Sequence, residues 1–434
     1  MKIYDLIGIG FGPSNIGLAV ALYEDYDANS TFDSILFFES KRKHGWHHPM
    51  MVDGAKMQIS FMKDLCMLRN PKSHFTFLNY LKENDRLIAF ANLRDFNPSR
   101  REFDCYLAWV AKHFEKIVQY SSTAQSITPV LVDGVVKYLD VEIINNNLNC
   151  RKIYRTRNLT IAVGGEPKMP VEIDDPRIFH SSLFLEKISQ YDEQLAHRFL
   201  IVGAGQSAAE IYRYLINRYK SSSIWVGCRG IGFKQSDESE YVNEIFNNDM
   251  VDLLYNLSPE KRKSLIAKHA DTNYSVVDID LIRELYRTEY EEGLIRTPNF
   301  GIKQFVELHD ASADEKCIKV SLKSLISEEI KRLDVDAVIC ATGYKRPHDM
   351  KLLSGIKPFA LEDDENQFVL SRNYALQTSD TFKPKIFIQG MSESTHGLSD
   401  TLLSVISTRA GEISSEFIKV MAVENQPLRC ESNH

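Results

Sequence analysis

Two short glycine clusters are the residues of this chain whose spacing can do chemistry. The first, Gly10-Phe11-Gly12-Pro13-Ser14-Asn15, follows the apolar run Ile3-Tyr4-Asp5-Leu6-Ile7-Gly8-Ile9 and opens a helical pattern. In a strand–turn–helix unit, Gly10 permits the tight turn and Gly12 lets backbone N–H groups approach a pyrophosphate at the helix N-terminus. Asn15 stands where a G-x-G-x-x-G fingerprint has its third glycine, so the helix is expected slightly further from the strand. Gly10, Gly12, Pro13 and Asn15 are the expected cofactor contacts of this turn. Glu39 ends the next apolar run, Ile35-Leu36-Phe37-Phe38. A carboxylate there accepts both ribose hydroxyls and repels a 2′-phosphate, which fits FAD rather than NADP. A lone fingerprint is also an ordinary glycine turn; it is strand, turn, helix and terminal acid together that point to a dinucleotide.

The second cluster, Gly203-Ala204-Gly205-Gln206-Ser207-Ala208-Ala209, repeats the pattern after Arg198-Phe199-Leu200-Ile201-Val202. The strand that follows, Ser223-Ile224-Trp225-Val226, ends near Arg229, without the acid that NAD enzymes carry there. An arginine in that place takes a 2′-phosphate bidentately, so Gly203, Gly205, Gln206, Ser207 and Arg229 read as an NADPH site. A plain surface arginine is the alternative. Two such units imply electron transfer from a nicotinamide to a flavin. A disulfide reductase would hold a close cysteine pair, and the seven cysteines (Cys66, Cys105, Cys150, Cys228, Cys317, Cys340, Cys430) are scattered. Oxygen is left as acceptor by elimination, which does not separate an oxidase from a monooxygenase.

With these turns the chain resembles the microbial N-hydroxylating monooxygenases, and within them the ornithine N5-monooxygenase branch of siderophore biosynthesis. The resemblance runs nearly end to end, through His44-Gly45-Trp46-His47, Met57-Gln58-Ile59-Ser60-Phe61-Met62-Lys63-Asp64-Leu65 and Phe75-Thr76-Phe77-Leu78-Asn79-Tyr80-Leu81. It continues through Tyr241-Val242-Asn243-Glu244-Ile245-Phe246, Asn273-Tyr274-Ser275-Val276, Ala341-Thr342-Gly343-Tyr344 and His396-Gly397-Leu398-Ser399-Asp400-Thr401-Leu402-Leu403-Ser404.

The resemblance implies that Met57 and Gln58 lie over the flavin ring near the nicotinamide, with Trp46, His47 and Leu403 as further FAD contacts. It puts Lys63 at the substrate carboxylate, Asn243 at its amino-acid end, Asn273 near the reacting amine and Ser404 beside the substrate. Ser207 and Arg229 touch NADPH, and residues 402–404 close the flavin site. The plainer readings are a solvated lysine for Lys63 and caps or turns for Asn243 and Asn273. Two stretches depart from the branch: Cys66-Met67-Leu68-Arg69-Asn70-Pro71-Lys72, and Lys234-Gln235 before Ser236-Asp237. Both bear on the substrate's identity more than on the reaction.

The implied reaction is NADPH-dependent hydroxylation of the terminal amine of L-ornithine by O₂ through a C4a-hydroperoxyflavin, supplying a hydroxylamine for hydroxamate siderophores. The same chemistry on lysine, a diamine or histamine is the alternative, and a non-catalytic flavin/NADPH-binding protein is another. A homo-oligomer, dimer or tetramer, is implied as well. The chemistry sets two demands. A free alkylamine has a pKa of about 10.4, so its site must favour the neutral form by desolvation and neutral partners such as Asn273. The flavin's oxygen chemistry must also be kept from water.

The elements that position these residues follow from size and pattern. A chain of 434 residues exceeds one core. The expected fold is α/β: two Rossmann-like dinucleotide-binding domains and a small, mainly helical insert. Residues 1–165 and 345–434 are read as the FAD domain, and 166–239 and 293–344 as the NADPH domain. The charged stretch 240–292, with helical spacing, is read as the substrate-binding insert. The runs at 159–165 and 337–343 read as crossings between the two domains. The net charge of −7 gives no footprint for nucleic acid. Residues 1–22 read as strand–turn–helix, not a signal peptide, and no run reaches the roughly 18 apolar residues of a membrane span. A cytoplasmic enzyme without a metal site is expected, with a frayed tail from Asn425.

Overall fold

The computed structural model describes residues 1–25, 32–346, 351–364 and 366–424; the tail from Asn425, with Cys430, lies outside them. Among the described residues, seven strands form the first sheet. Four lie in the order Val118–Gln119, Ile35–Phe38, Ile3–Ile9, Cys150–Ile161, all parallel, and Ile386–Ile388 adds in parallel beside the last. The long strand Cys150–Ile161 also begins an antiparallel meander with Val135–Asn145 and Ser122–Val132. A parallel strand covered on both faces must be apolar throughout, which is why Ile35–Phe38 is buried at every position. Leu6, Ile35 and Phe37 face a layer of helices that includes Pro13–Asp25, Arg100–His113 and Ile406–Glu424. Ile7, Ile9, Leu36 and Phe38 face the meander.

The second sheet repeats the plan in five parallel strands, ordered Phe300–Lys303, Ser223–Gly227, Arg198–Val202, Ala337–Cys340, Ile178–His180. Phe199, Ile201, Ile224, Val226 and Ile339 pack on the helix Gln206–Arg218, while Leu200, Val202, Val338 and Cys340 pack on a three-stranded antiparallel sheet spanning 306–335. The chain is therefore α/β with two parallel-sheet units. No helix among the described residues is long and apolar enough to cross a membrane.

Between the units lie the helices Asn248–Asn256 and Pro259–Lys268, preceded by the short turn Glu240–Asn243. The next helix, Ile279–Ile295, runs past the expected boundary at 292. It buries Leu281 and Leu285 against the second unit's core, because the apolar face of Gln206–Arg218 needs a cover. The two units are tied by a buried fork: Arg100 Nη1 and Nη2 donate to Glu210 at 2.9 and 2.8 Å, and Nη1 also donates to the Met50 carbonyl at 2.8 Å. Glu210 is 1% exposed, so this carboxylate is satisfied by geometry and not by water.

The strap 389–405 returns from the first sheet, passes the insert and enters the last helix, Ile406–Glu424. Asp400 ties the strap to Arg409 of the last helix, the two buried at 0% and 2% exposure and 2.9 Å apart. Arg372 fastens it outward, to Asp252 of the insert at 2.6 Å and to Glu412 of the last helix at 2.9 Å. His396 is wholly buried, stacks on Tyr374 at 4.3 Å and donates from Nε2 to the Arg372 carbonyl at 3.1 Å. Burial lowers its pKa from 6.5 to about 4. The unfolded chain therefore takes up this proton first. The stability that His396 contributes is present above pH 6.5 and is lost as the pH falls toward 4, on the order of 3 kcal/mol. His396→Gln, which does not titrate, should show a shallower decline in unfolding free energy between pH 6.5 and 4.5 in urea titrations. Equal slopes for the two proteins would contradict the assignment.

Candidate active site

Each glycine turn is pressed against the end of a crossing strand. At Gly10 the φ is +82°, and a Cβ would sit 2.5 Å from the Ala162 carbonyl oxygen. At Gly203 the φ is +132°, and a Cβ would sit 2.2 Å from that of Ala341. Neither position admits a side chain. Gly12, by contrast, faces open space: a Cβ there meets nothing within 4 Å.

The first turn opens on a cleft of about 800 Å³ lined by Gly10, Gly12, Pro13, Ser14, Glu39, Trp46, His47, Gln389, Leu403 and Arg409, among others. Glu39 Oε2 accepts the Phe11 N–H at 2.8 Å and Oε1 the Lys41 N–H at 2.9 Å, which holds the carboxylate at the cleft wall. Asp104, on the helix Arg100–His113, accepts the Trp46 N–H at 3.0 Å and lies 2.9 Å from His48 Nε2, which sets the loop that carries Trp46 and His47. Asn15 does not line the cleft. Its side chain turns back, donating to the Gly10 carbonyl at 2.7 Å and accepting from Gln389 Nε2 at 2.8 Å and Thr160 Oγ1 at 3.2 Å. It fastens the turn to the neighbouring strands from behind.

The second turn opens on a larger cavity of about 1680 Å³, lined by Gly203, Gly205, Gln206, Ser207, Arg229, Gln58 and Asn273, among others. That volume exceeds the roughly 300–1,000 Å³ of a site for one small molecule and leaves room for a dinucleotide with a second ligand. Gln206 is on its wall, yet its side chain is engaged: Nε2 donates to Glu210 at 3.0 Å and Oε1 accepts the Asp278 N–H at 3.0 Å. Tyr274, next to Asn273, donates its hydroxyl to Glu393. Burial pushes the Glu393 carboxyl above its usual range and the Tyr274 phenol to about 12. The cavity's Glu393 is thus occupied by a phenol.

Tyr344, Arg346, Thr401 and Leu402 line both spaces, so the smaller cleft and the larger cavity share one wall. The residues expected at the flavin ring (Met57 and Gln58) and at the substrate (Lys63, Asn243, Asn273 and Ser404) divide. Gln58 and Asn273 line the large cavity, but Met57, Lys63, Asn243 and Ser404 line neither space. Met57 is buried in the first unit's core, its backbone pinned by the Pro98 carbonyl at 2.9 Å and by Asn97 Nδ2 at 3.0 Å. Lys63 ends the short turn Phe61–Lys63, half-buried, with no carboxylate partner among the described residues; this turn adjoins the strap segment Leu403–Val405. Asn243 turns its side chain back along its own segment, donating to the Glu238 carbonyl at 3.0 Å. Ser404 is buried, and its Oγ has no partner.

Of the two departures, Lys234 stands on the large cavity's wall, paired with Asp271 at 2.8 Å. The stretch 66–72 stands on neither wall. Arg69 pairs there with Glu24 and Asp25, and its N–H donates to Ser407 Oγ at 3.0 Å, stapling the first helix to the last. Sequence reasoning missed Arg346, Gln389 and Arg409, which sit in unremarkable sequence and reach the site only through the strap's path.

The fit of a dinucleotide to the smaller cleft rests on three features of the chain: an open glycine at a helix N-terminus, a carboxylate at the next strand's end, and buried polar atoms without partners at Gln389 Oε1 and Arg409 Nε. The sequence pattern described as L-lysine 6-monooxygenase/L-ornithine 5-monooxygenase matches residues 2–346. The L-ornithine N(5)-monooxygenase of Pseudomonas aeruginosa is 39% identical over 419 residues, covering 95% of this chain and 93% of its own. The solved ornithine hydroxylase of that organism superposes with a TM-score of 0.90 at 37% identity, covering 97% of this chain and 100% of its own. The ornithine N-hydroxylase of Kutzneria sp. 744, with reduced FAD, NADP⁺ and L-ornithine, superposes with a TM-score of 0.91 at 35% identity, covering 96% and 99%. The chain therefore belongs to the L-lysine 6-monooxygenase/L-ornithine 5-monooxygenase family of flavin-dependent amine N-hydroxylases.

Proposed function

We propose that this enzyme uses FAD and NADPH to hydroxylate the terminal primary amine of L-ornithine, and that the hydroxylamine feeds hydroxamate siderophore assembly. The observation that carries this reading is the shared wall: two dinucleotide clefts meet at Tyr344, Arg346, Thr401 and Leu402, with Gln58 and Asn273 on the nicotinamide side. The relatives named above, all acting on ornithine by name, support the substrate. Residues 1–165 and 345–434 then hold FAD, and 166–239 and 293–344 hold NADPH. The insert 240–292 shapes the substrate end, its last helix serving the second unit as well.

When bound and reduced, FAD supplies an oxygen atom from O₂. The protein's part is to bind, orient and exclude water. The open N-terminus at Gly12 and Pro13 receives the pyrophosphate, and Glu39 the adenosine ribose. Arg229, exposed at the end of its strand, receives the 2′-phosphate. Lys63, on the turn Phe61–Lys63 that adjoins Leu403–Val405, takes the substrate's carboxylate. Asn273 meets the amine as a neutral partner. Glu393 accepts from Tyr274, and burial raises its carboxyl pKa, which disfavours the charged form that would hold the amine as an ammonium ion. The strap closes the cleft, keeping water from diverting the oxygen to H₂O₂.

Two kinetic outcomes follow. Arg229→Ala should raise KM for NADPH by roughly 10- to 100-fold, the value of a charge-assisted phosphate contact, and leave KM for NADH unchanged. An unaltered NADPH preference would remove Arg229 from the site. Across amines, ornithine should exceed lysine and putrescine in kcat/KM. Lys63→Ala should raise KM for ornithine by about tenfold or more while barely moving that for putrescine, which has no carboxylate. Equal effects on both amines would reject carboxylate binding by Lys63.

A further inference from the structure

Arg409 lies one turn inside the last helix, at 2% exposure, yet it is on the wall of the flavin-type cleft. Its Nη1 donates to Asp400, and its Nη2 donates to Ser14 Oγ at 3.0 Å. Ser14 is the second residue of the helix Pro13–Asp25 and also lines the cleft. Arg409 Nε is buried without a partner, and so is Oε1 of Gln389 on the same wall. Asp400 is itself fixed, its Oδ2 accepting the Ser392 N–H at 2.6 Å.

We propose that Arg409 is a positioning residue for the flavin cofactor, acting through Ser14. The proposal rests on the reading of the smaller cleft as the FAD site. A hydroxyl has one proton and two lone pairs. Because the guanidinium can only donate, Ser14 Oγ accepts from it, and the serine's own proton is left to donate on its other side, where the residue meets the cleft. A pyrophosphate oxygen seated at the helix N-terminus is an acceptor of the right charge for that proton. The arginine polarises this hydroxyl and adds positive potential behind the helix end, whereas Asp400 offsets the charge and stops the guanidinium from swinging into the cleft. The strap's own anchor is thereby coupled to cofactor binding: the residue that holds Asp400 also orients the donor at the pyrophosphate.

The test is the affinity of apoprotein for FAD, followed by quenching of flavin fluorescence, with ADP and adenosine as competitors. Ser14→Ala leaves the buried ion pair untouched. It should raise Kd for FAD by about tenfold, weaken ADP to the same degree and leave adenosine unchanged, while the melting temperature of the apoprotein falls by only a few degrees as Arg409 Nη2 loses its acceptor. Ser14→Thr, which restores a hydroxyl, should return Kd to within about threefold of the wild type. Arg409→Lys should weaken FAD on its own but add little on top of Ser14→Ala, since both remove one contact. The proposal is overturned if Ser14→Ala binds FAD as tightly as the wild type, or if Arg409→Lys costs the same with and without Ser14→Ala. Wild-type apoprotein that takes up no FAD would overturn both the proposal and the FAD reading beneath it.

Discussion

The ion pair between Asp400 and Arg409 is the constraint on which the rest of the site depends. Both partners are buried, and the pair is supported by two further hydrogen bonds: Asp400 accepts the Ser392 N–H, and Arg409 donates to Ser14. Removing one partner of such a pair costs roughly 3–5 kcal/mol, because the other charge is left buried and alone. Through this pair the strap that carries Thr401, Leu402 and Leu403 is clamped between the first glycine turn and the last helix. The same strap packs on the insert, where Arg372 joins Asp252 to Glu412. This short segment thus supplies Thr401 and Leu402 to the wall common to both clefts, beside Tyr344 and Arg346.

The two glycine turns explain why the clefts face each other. Each turn is set by a crossing strand whose final carbonyl, Ala162 or Ala341, occupies the place of a glycine side chain. The crossings are also where the chain passes between units, so the mouth of each cleft is fixed to the path into the other. The fork of Arg100 on Glu210 holds the second unit's helix against the first unit, and Gln206 at the head of that helix is drawn into the same network. The second glycine turn is therefore mechanically joined to the interface between the sheets.

Much of this was legible in the sequence because it is local. A buried parallel strand, a glycine turn and a helix are contiguous, and their periodicities do not depend on distant partners, so both strand–turn–helix units could be read from residues 3–39 and 198–229. What was not legible is long-range. Arg409 acts on Ser14 from 395 positions away, and no spacing rule connects them. Asn15 reads as a deviant glycine but is a brace, because its partners are Thr160, in the strand Cys150–Ile161, and Gln389, just past the strand Ile386–Ile388, both far along the chain. The stretch 66–72 looked like a change in the substrate site, yet Arg69 spends its charge on Glu24 and Asp25. The helix Ile279–Ile295 overran its expected boundary because the second unit's core needed its leucines.

The central claim is that the strap and the shared wall deliver oxygen to an amine and keep it from water. The direct measurement counts hydroxylamine, H₂O₂ and oxidised NADPH in the same reaction of the FAD-loaded enzyme with ornithine. The account predicts that hydroxylamine approaches the NADPH consumed, with H₂O₂ a minor product. If NADPH oxidation appears entirely as H₂O₂ with ornithine and with every other primary amine supplied, the account is wrong.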